Sequence, residues 1–439
     1  MTARTPVSPT RRRLTLLILL GVTLVSLLDR QIMAILAHPI AEDLNLTDSQ
    51  LGLLSGVAFA AVYATLTIPV GWMADRVDRT RIIAVATASW SVISATCGLA
   101  GNFWHLLISR MGVAVGEAGA TPSAHSIASD LYPPERRGFA IATIQAGSPL
   151  GLLLAFAVGG LIAQEYGWRA AFYASAVPGL VMTVLVLAVM RDPRARGGTG
   201  AAAHRAGLPR HGFRSATREL LANPPMRSIL AGGVLCAFGV YGALAWLPAY
   251  FQRTFDWSSG RAGIVLGLMF GVVGLAGTWG GGVLGDRLYL RRRDGHTRVV
   301  LLSSVVVVAL FPLFLAAPGG LAALLVLAIP AGLLGLFQGP LAAAVQNVCP
   351  PSRRGLASAF YIFSVNLLGQ SLGPTAIGVV SDLAESAGLG NGLRAGLLLV
   401  PLSALAAVIV LRRAGARILA HTTPDDDHAV PVQHTSPKP

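Results

Sequence analysis

Two acids and two arginines stand inside stretches otherwise fit only for lipid: Asp29 and Arg30 in one apolar run, Arg110 and Glu117 in another. Ionisable groups at bilayer depth are costly and mark ion or substrate pathways. From the helical rise per residue, Asp29 and Arg30 sit about 10 Å below the outer end of their helix. Arg110 sits about 9 Å below the outer end of its own helix, and Glu117 about 20 Å, near the midplane. Arg110 and Glu117 are two turns apart and share a face. Burial pushes a carboxylate to keep its proton and a neighbouring arginine returns it to charge, so a carboxylate held between the two can switch as water access changes. Arginine also offers a planar fork to a carboxylate or phosphate. These four residues are therefore expected to form a proton-coupling or anion-binding site. The alternative is a static ion-pair clamp, a weak source of stability because desolvation can exceed the Coulomb gain.

The elements that must position this set are membrane helices. Of the 439 residues 54% are hydrophobic and 12% charged, too little polar surface for a soluble protein of this length. Apolar runs long enough to cross a bilayer, for which about 20 residues are needed, occur at 14–36, 50–72, 82–100, 104–131, 138–163, 170–190, 228–253, 261–286, 298–317, 321–348, 355–383 and 393–412. The chain also repeats itself. Gly71, Asp75 and Arg76 return as Gly282, Asp286 and Arg287; Pro133 to Gly138 return as Pro350 to Gly355; Gly167-Trp168-Arg169-Ala170 returns as Gly392-Leu393-Arg394-Ala395. The expected fold is an all-α polytopic membrane protein of twelve transmembrane helices in two pseudo-symmetric six-helix bundles, 1–190 and 228–412. A basic linker, 191–227, joins them, and a disordered tail, 413–439, follows. Leu220-Leu221 beside Arg218 forms either a short interfacial helix or part of a flexible linker. A duplicated membrane unit usually binds between its halves and moves one against the other, which points to transport.

The net charge of +14 does not indicate nucleic acid, because the arginines gather in alternate connections with no interleaved aromatics. That distribution is the positive-inside bias, and it places both termini in the cytoplasm of a bacterial-type inner membrane. Arg11 to Arg13 followed by an apolar run reads as a retained first helix rather than a cleaved signal, since the run is long and contains Asp29-Arg30. Cys97, Cys236 and Cys349 form no spaced pair, and no histidine pair has metal-ligand spacing, so neither a disulfide framework, a metal site nor a cofactor is expected. There is no phosphate-binding G-x-x-x-x-G-K-[ST] loop, the single lysine is Lys438, and no catalytic motif appears, so direct ATP drive and enzymatic activity are not expected. An intramembrane enzyme and a sensor are the readings from other classes.

The second half carries no comparable charges. Its candidates for a substrate cavity are Tyr241, Trp246, Gln338, Asn366 and Gln370, joined by Gln145 from the first half. Each could equally pack a helix. His38 and His125 read first as packing histidines, with proton relay the alternative for His125.

The segment Gly71-x-x-x-Asp75-Arg76-x-Asp78-Arg79-x-Arg81 resembles the signature of the major facilitator superfamily, with Asp78 where the pattern has glycine. Leu28-Asp29-Arg30, Arg110 to Ala118 continuing to Pro122, Ser129 to Arg137 and Gly167-Trp168-Arg169 are similar to the spinster family; the anion:cation symporter family shares much of the pattern. The resemblance implies alternating access driven by an ion gradient, with protons as the coupling ion. It implies protonation-linked Asp29 and Glu117, partnered by Arg30 and Arg110. It further implies a cytoplasmic gate of Gly71, Asp75, Arg76, Arg79, Asp130, Gly282, Asp286 and Arg287, in which Arg79 can pair with Asp130. Animal spinsters are associated with lysophospholipids and sphingosine phosphate. A small organic anion, as in the symporter family, or a multidrug-type export substrate would fit the same residues. A monomer in the lipid bilayer is expected.

Overall fold

The computed structural model describes residues 8–74, 77–192, 218, 220–349 and 353–421, with every side chain among them except those of 67–74, 134, 135, 355 and 421. Asp75, Arg76, most of the expected linker and the last part of the expected tail lie outside the described residues. The described residues form helices and no strands.

In chain order the first bundle contains α1 (Pro9–Leu44), α2 (Asp48–Ser55 continued by Val57–Ala74), α3 (Arg79–Cys97), α4 (Phe103–Glu117 continued by Ala120–Leu131), α5 (Pro134–Gln145 continued by Gly147–Tyr166) and α6 (Trp168–Val189). The second contains α7 (Pro224–Phe255), α8 (Ser259–Leu268 through a π turn to Gly274–Arg291), α9 (Gly295–Leu315), α10 (Gly320–Leu334 through a 3-10 turn to Gln338–Asn347), α11 (Arg354–Ser364 through the π segment Val365–Gln370 to Ser371–Ser386) and α12 (Gly392–Leu397 continued by Leu399–His421). Eleven of these are long and apolar enough to cross a membrane. The twelfth, α4, is divided at Ala118-Gly119, directly after Glu117. Large apolar side chains such as Val184, Trp279 and Leu325 lie exposed on the outer faces. In a bilayer that face meets acyl chains, which asks no polar cover of it.

The repeat is visible in the helix ends. Both α1 and α7 begin with proline in the first turn, where its missing N–H is not needed. Both end on a left-handed residue, Asn45 (φ 50°) and Asp256 (φ 53°). Thr47 then caps α2 in a reciprocal capping box with Gln50, and Ser258 caps α8. Two boundaries differ from the sequence reading. Helix α12 continues through His421, so residues 413–421 of the expected tail are helical. Residues 220–222 are helical and Leu220 is buried, which favours the short helix over the flexible linker there.

An even number of crossings returns the chain to the side on which it began, here called the terminal side; the opposite side is the distal side. The bundles pack against each other through α1 with α7, α5 with α8, and α2 with α11. At the α5–α8 crossing the backbones touch. A Cβ on Gly263 would overlap the Phe156 carbonyl, and one on Gly160 the Ser259 carbonyl. These contacts lie toward the distal side. The terminal-side segments Ala120–Leu131, Pro134–Gln145, Gly274–Arg291 and Gln338–Asn347 find their principal packing partners within their own bundle.

Candidate functional site

Asp29 and Arg30 are consecutive on α1 and point in different directions. The Asp29 side chain is fully buried inside the first bundle, where Oδ1 accepts a hydrogen bond from Ser94 Oγ on α3 at 3.1 Å. Arg30 is 15% exposed and places Nη2 at 2.6 Å from Oε2 of Glu117, itself 1% exposed. Glu117 Oε2 accepts a second bond from Ser26 Oγ at 3.0 Å. Oε1 of Glu117 and Oδ2 of Asp29 are buried without a hydrogen-bond partner.

Arg110 completes the set without joining an ion pair. It is 1% exposed and donates through Nη1 to the main-chain carbonyl of Asp29 (3.1 Å) and through Nη2 to that of Arg30 (3.4 Å). A buried arginine thus clamps the backbone of α1 at the two residues that matter. The Phe59 ring on α2 meets both guanidiniums, its centroid 4.7 Å from that of Arg30 and 5.4 Å from that of Arg110. Tyr63 stacks on Phe59 and lies 4.9 Å from Arg30. Aromatic faces offset part of the cost of bringing two cations close. Tyr241 of α7 faces Arg30 and Tyr63 from the other bundle. The four charges are therefore not one network: Arg30 and Glu117 form an ion pair at the interface, and Asp29 is held by serine.

On the terminal side Arg79, fully buried at the start of α3, bonds Asp130 Oδ2 (2.8 Å), Ser126 Oγ (2.8 Å) and both carboxylate oxygens of Asp192. Asp192 directly follows α6 and was missed from the sequence; a lone acid among Arg191, Arg194 and Arg196 was the available signal. In the second bundle Asp286 is exposed and bonds His296 Nε2 at 3.1 Å. It meets an imidazole of its own bundle rather than a helix end of the other. Arg287 is exposed. A Cβ on Gly282 would meet nothing within 4 Å, whereas one on Gly339 of α10 would lie 3.9 Å from the Gly282 Cα. Gly71 lies in α2, in the stretch where side chains are not described.

The candidate cavity residues scatter. Trp246 is buried and donates Nε1 to the Pro374 carbonyl at 2.8 Å, a packing contact beside the crossing of α2 with α11. Gln370 is buried and Asn366 half-buried in the π segment of α11, while Gln338 is exposed at the break in α10. Gln145 is exposed at the break in α5 and lies against His125. His38 sits 3.5 Å from Glu42 near the distal end of α1.

The distal side carries a bonded seam between the bundles that the sequence reading did not single out. Asp48 at the tip of α2 is 4% exposed and accepts from Arg253 of α7 (2.8 Å) and Ser381 of α11 (2.6 Å). Asp382 in turn accepts from the backbone N–H groups of Asp48 (2.9 Å) and Ser49 (2.8 Å), at the positive end of α2. Gln252 donates to the Ile35 carbonyl, Thr375 to that of Gly52, and the Gly260 N–H to Gln164.

Residues 19–374 match the profile of the Major Facilitator Superfamily. The chain belongs to this superfamily. Its members are transporters, not enzymes, and this one is an integral membrane protein. Among relatives, an MFS-type efflux pump of Mycolicibacterium smegmatis is 31% identical over 390 residues, covering 89% of each chain. Human Protein spinster homolog 1 is 28% identical over 404 residues, covering 86% of this chain and 74% of the human one. The crystal structure of a bacterial homolog of the human lysosomal transporter Spinster, inward-facing and unoccupied, superposes with a TM-score of 0.79 at 27% identity, covering 94% of this chain and 97% of the other. Within the superfamily this chain thus resembles the spinster family.

Proposed function

We propose that this superfamily member is a proton-coupled secondary transporter of a small organic anion or anionic, lysolipid-like amphiphile, working by alternating access in the inner membrane. The observation that carries the reading is the split at Asp29-Arg30: one carboxylate sealed inside a bundle, one cation presented at the interface between bundles. Arg30 is held by Glu117 and faces Tyr63 and Tyr241, so a proton on Glu117 releases its planar fork to a substrate carboxylate or phosphate. Phe59, Tyr63 and Tyr241 offer an apolar body aromatic contact. Arg110 ties both events to the α1 backbone. The arginine-rich connections support a cytoplasmic terminal side, and with it the distal seam supports an inward-facing conformation. Closing the cytoplasmic side is assigned to Gly71, Asp75, Arg76, Arg79, Asp130, Gly282, Asp286 and Arg287. Both bundles and the whole site belong to one chain, so the functional unit is taken as a monomer.

Export is a second reading of direction, favoured by the efflux-pump relative that spans most of the chain. Ligand-dependent thermal stabilisation tests the substrate class. Across lysolipids, organic acids, sugars and neutral drugs, anions should raise the melting temperature, and Arg30→Gln should abolish the effect. Equal stabilisation by neutral compounds in both proteins would refute the anion assignment.

A further inference from the structure

We propose that Ser94 and Ser175 are positioning residues for Asp29: they hold its carboxylate inside the first bundle and set the pH range over which it exchanges its proton. The inference rests on the proton-coupling reading above and names the groups that tune it. Arg110 on α4, a neighbouring cation, gives its Nη protons to main-chain carbonyls rather than to the Asp29 carboxylate. The other groups facing Asp29 are Cys97 on α3 and Glu117 on α4, with Arg30 beside it on α1. Neither Cys97 nor Glu117 supplies a positive charge. What the carboxylate receives is hydroxyl. Ser94 Oγ lies 3.1 Å from Asp29 Oδ1 and 3.5 Å from Ser175 Oγ, and Ser175 Oγ lies 2.9 Å from the Phe172 carbonyl.

This row is self-consistent in both protonation states. With Asp29 ionised, Ser175 donates to Ser94 and Ser94 donates to Asp29. With Asp29 protonated, its O–H donates to Ser94, Ser94 to Ser175, and Ser175 to the Phe172 carbonyl. Two hydroxyl rotations convert one arrangement into the other, with no buried donor stranded and no backbone movement. A hydroxyl adapts in this way because it both donates and accepts. A second cation at the same place would fix Asp29 in its charged form.

Infrared pH titration of the full-length protein in lipid, with protons as the sole probe, tests the proposal. The carbonyl-stretch band of protonated Asp29 is identified by its loss in Asp29→Asn. Donors to a carboxylate favour its charged form, so Ser94→Ala should move the midpoint of this band to higher pH by roughly one unit. Ser175→Ala should move it in the same direction, and Ser94→Thr, which keeps the hydroxyl, should restore it. A band whose midpoint is unchanged in both alanine variants overturns the positioning role alone. Absence of any Asp29 band across the pH range of the folded protein overturns the proton-coupling reading, and this inference with it.

Discussion

At the scale of single residues, the proposed coupling rests on how four charges are partnered. Each was legible in the sequence, because an acid or arginine inside an apolar run has no ordinary reason to be there. Their partners were not. Ser26, Ser94 and Ser175 are indistinguishable in sequence from serines that merely bond the preceding turn, as Ser303 and Ser304 do to the Val300 carbonyl. The role of Arg110 was hidden for another reason: an arginine near an aspartate suggests an ion pair, whereas here it holds two main-chain carbonyls. Replacing it tests that role. Arg110→Leu leaves both carbonyls without these donors and should destabilise the protein by at least about 2 kcal/mol. The check is thermal unfolding in detergent. An unchanged unfolding temperature would show that the carbonyl clamp contributes nothing.

At the scale of elements, the sequence revealed twelve apolar runs and their pairing by repeat, but not where they break. Glycine is too frequent in this chain, at 50 residues, for Gly56 or Gly119 to mark the interruptions of α2 and α4. Neither Asp48 nor Asp382 was singled out, because the sequence does not show that two helix tips from different bundles meet. In the structure the tip of α2 is bonded to both α7 and α11. Asp48→Asn removes the charge that Arg253 and Ser381 engage. Breaking one partner of a largely buried pair is destabilising to the state that contains it, with the partial exposure of Arg253 reducing the effect. The variant should populate conformations with the distal ends apart. Pulsed electron-spin distance measurements between labels on the distal ends of α2 and α11 should show a longer-distance population grow several-fold. An unaltered distance distribution would remove the seam from the account of alternation.

At the scale of the molecule, the described residues close the two bundles on the distal side and pack them separately on the terminal side, as one endpoint of the proposed rocking cycle would. In the sequence the repeated motifs recur in both halves, whereas Asp29, Arg30, Arg110 and Glu117 have no charged counterparts in the second. In the proposed cycle the shared architecture supplies the motion, and the asymmetric interior supplies what the motion is coupled to. The most direct test is uptake into proteoliposomes by the purified chain, with and without an imposed pH gradient, over a panel of organic anions and lysolipids. The account predicts that flux of at least one of these anions depends on the gradient, and that Glu117→Gln removes this dependence while the protein stays folded. Flux that is equal with and without the gradient, or gradient-driven flux unchanged in Glu117→Gln, would contradict it.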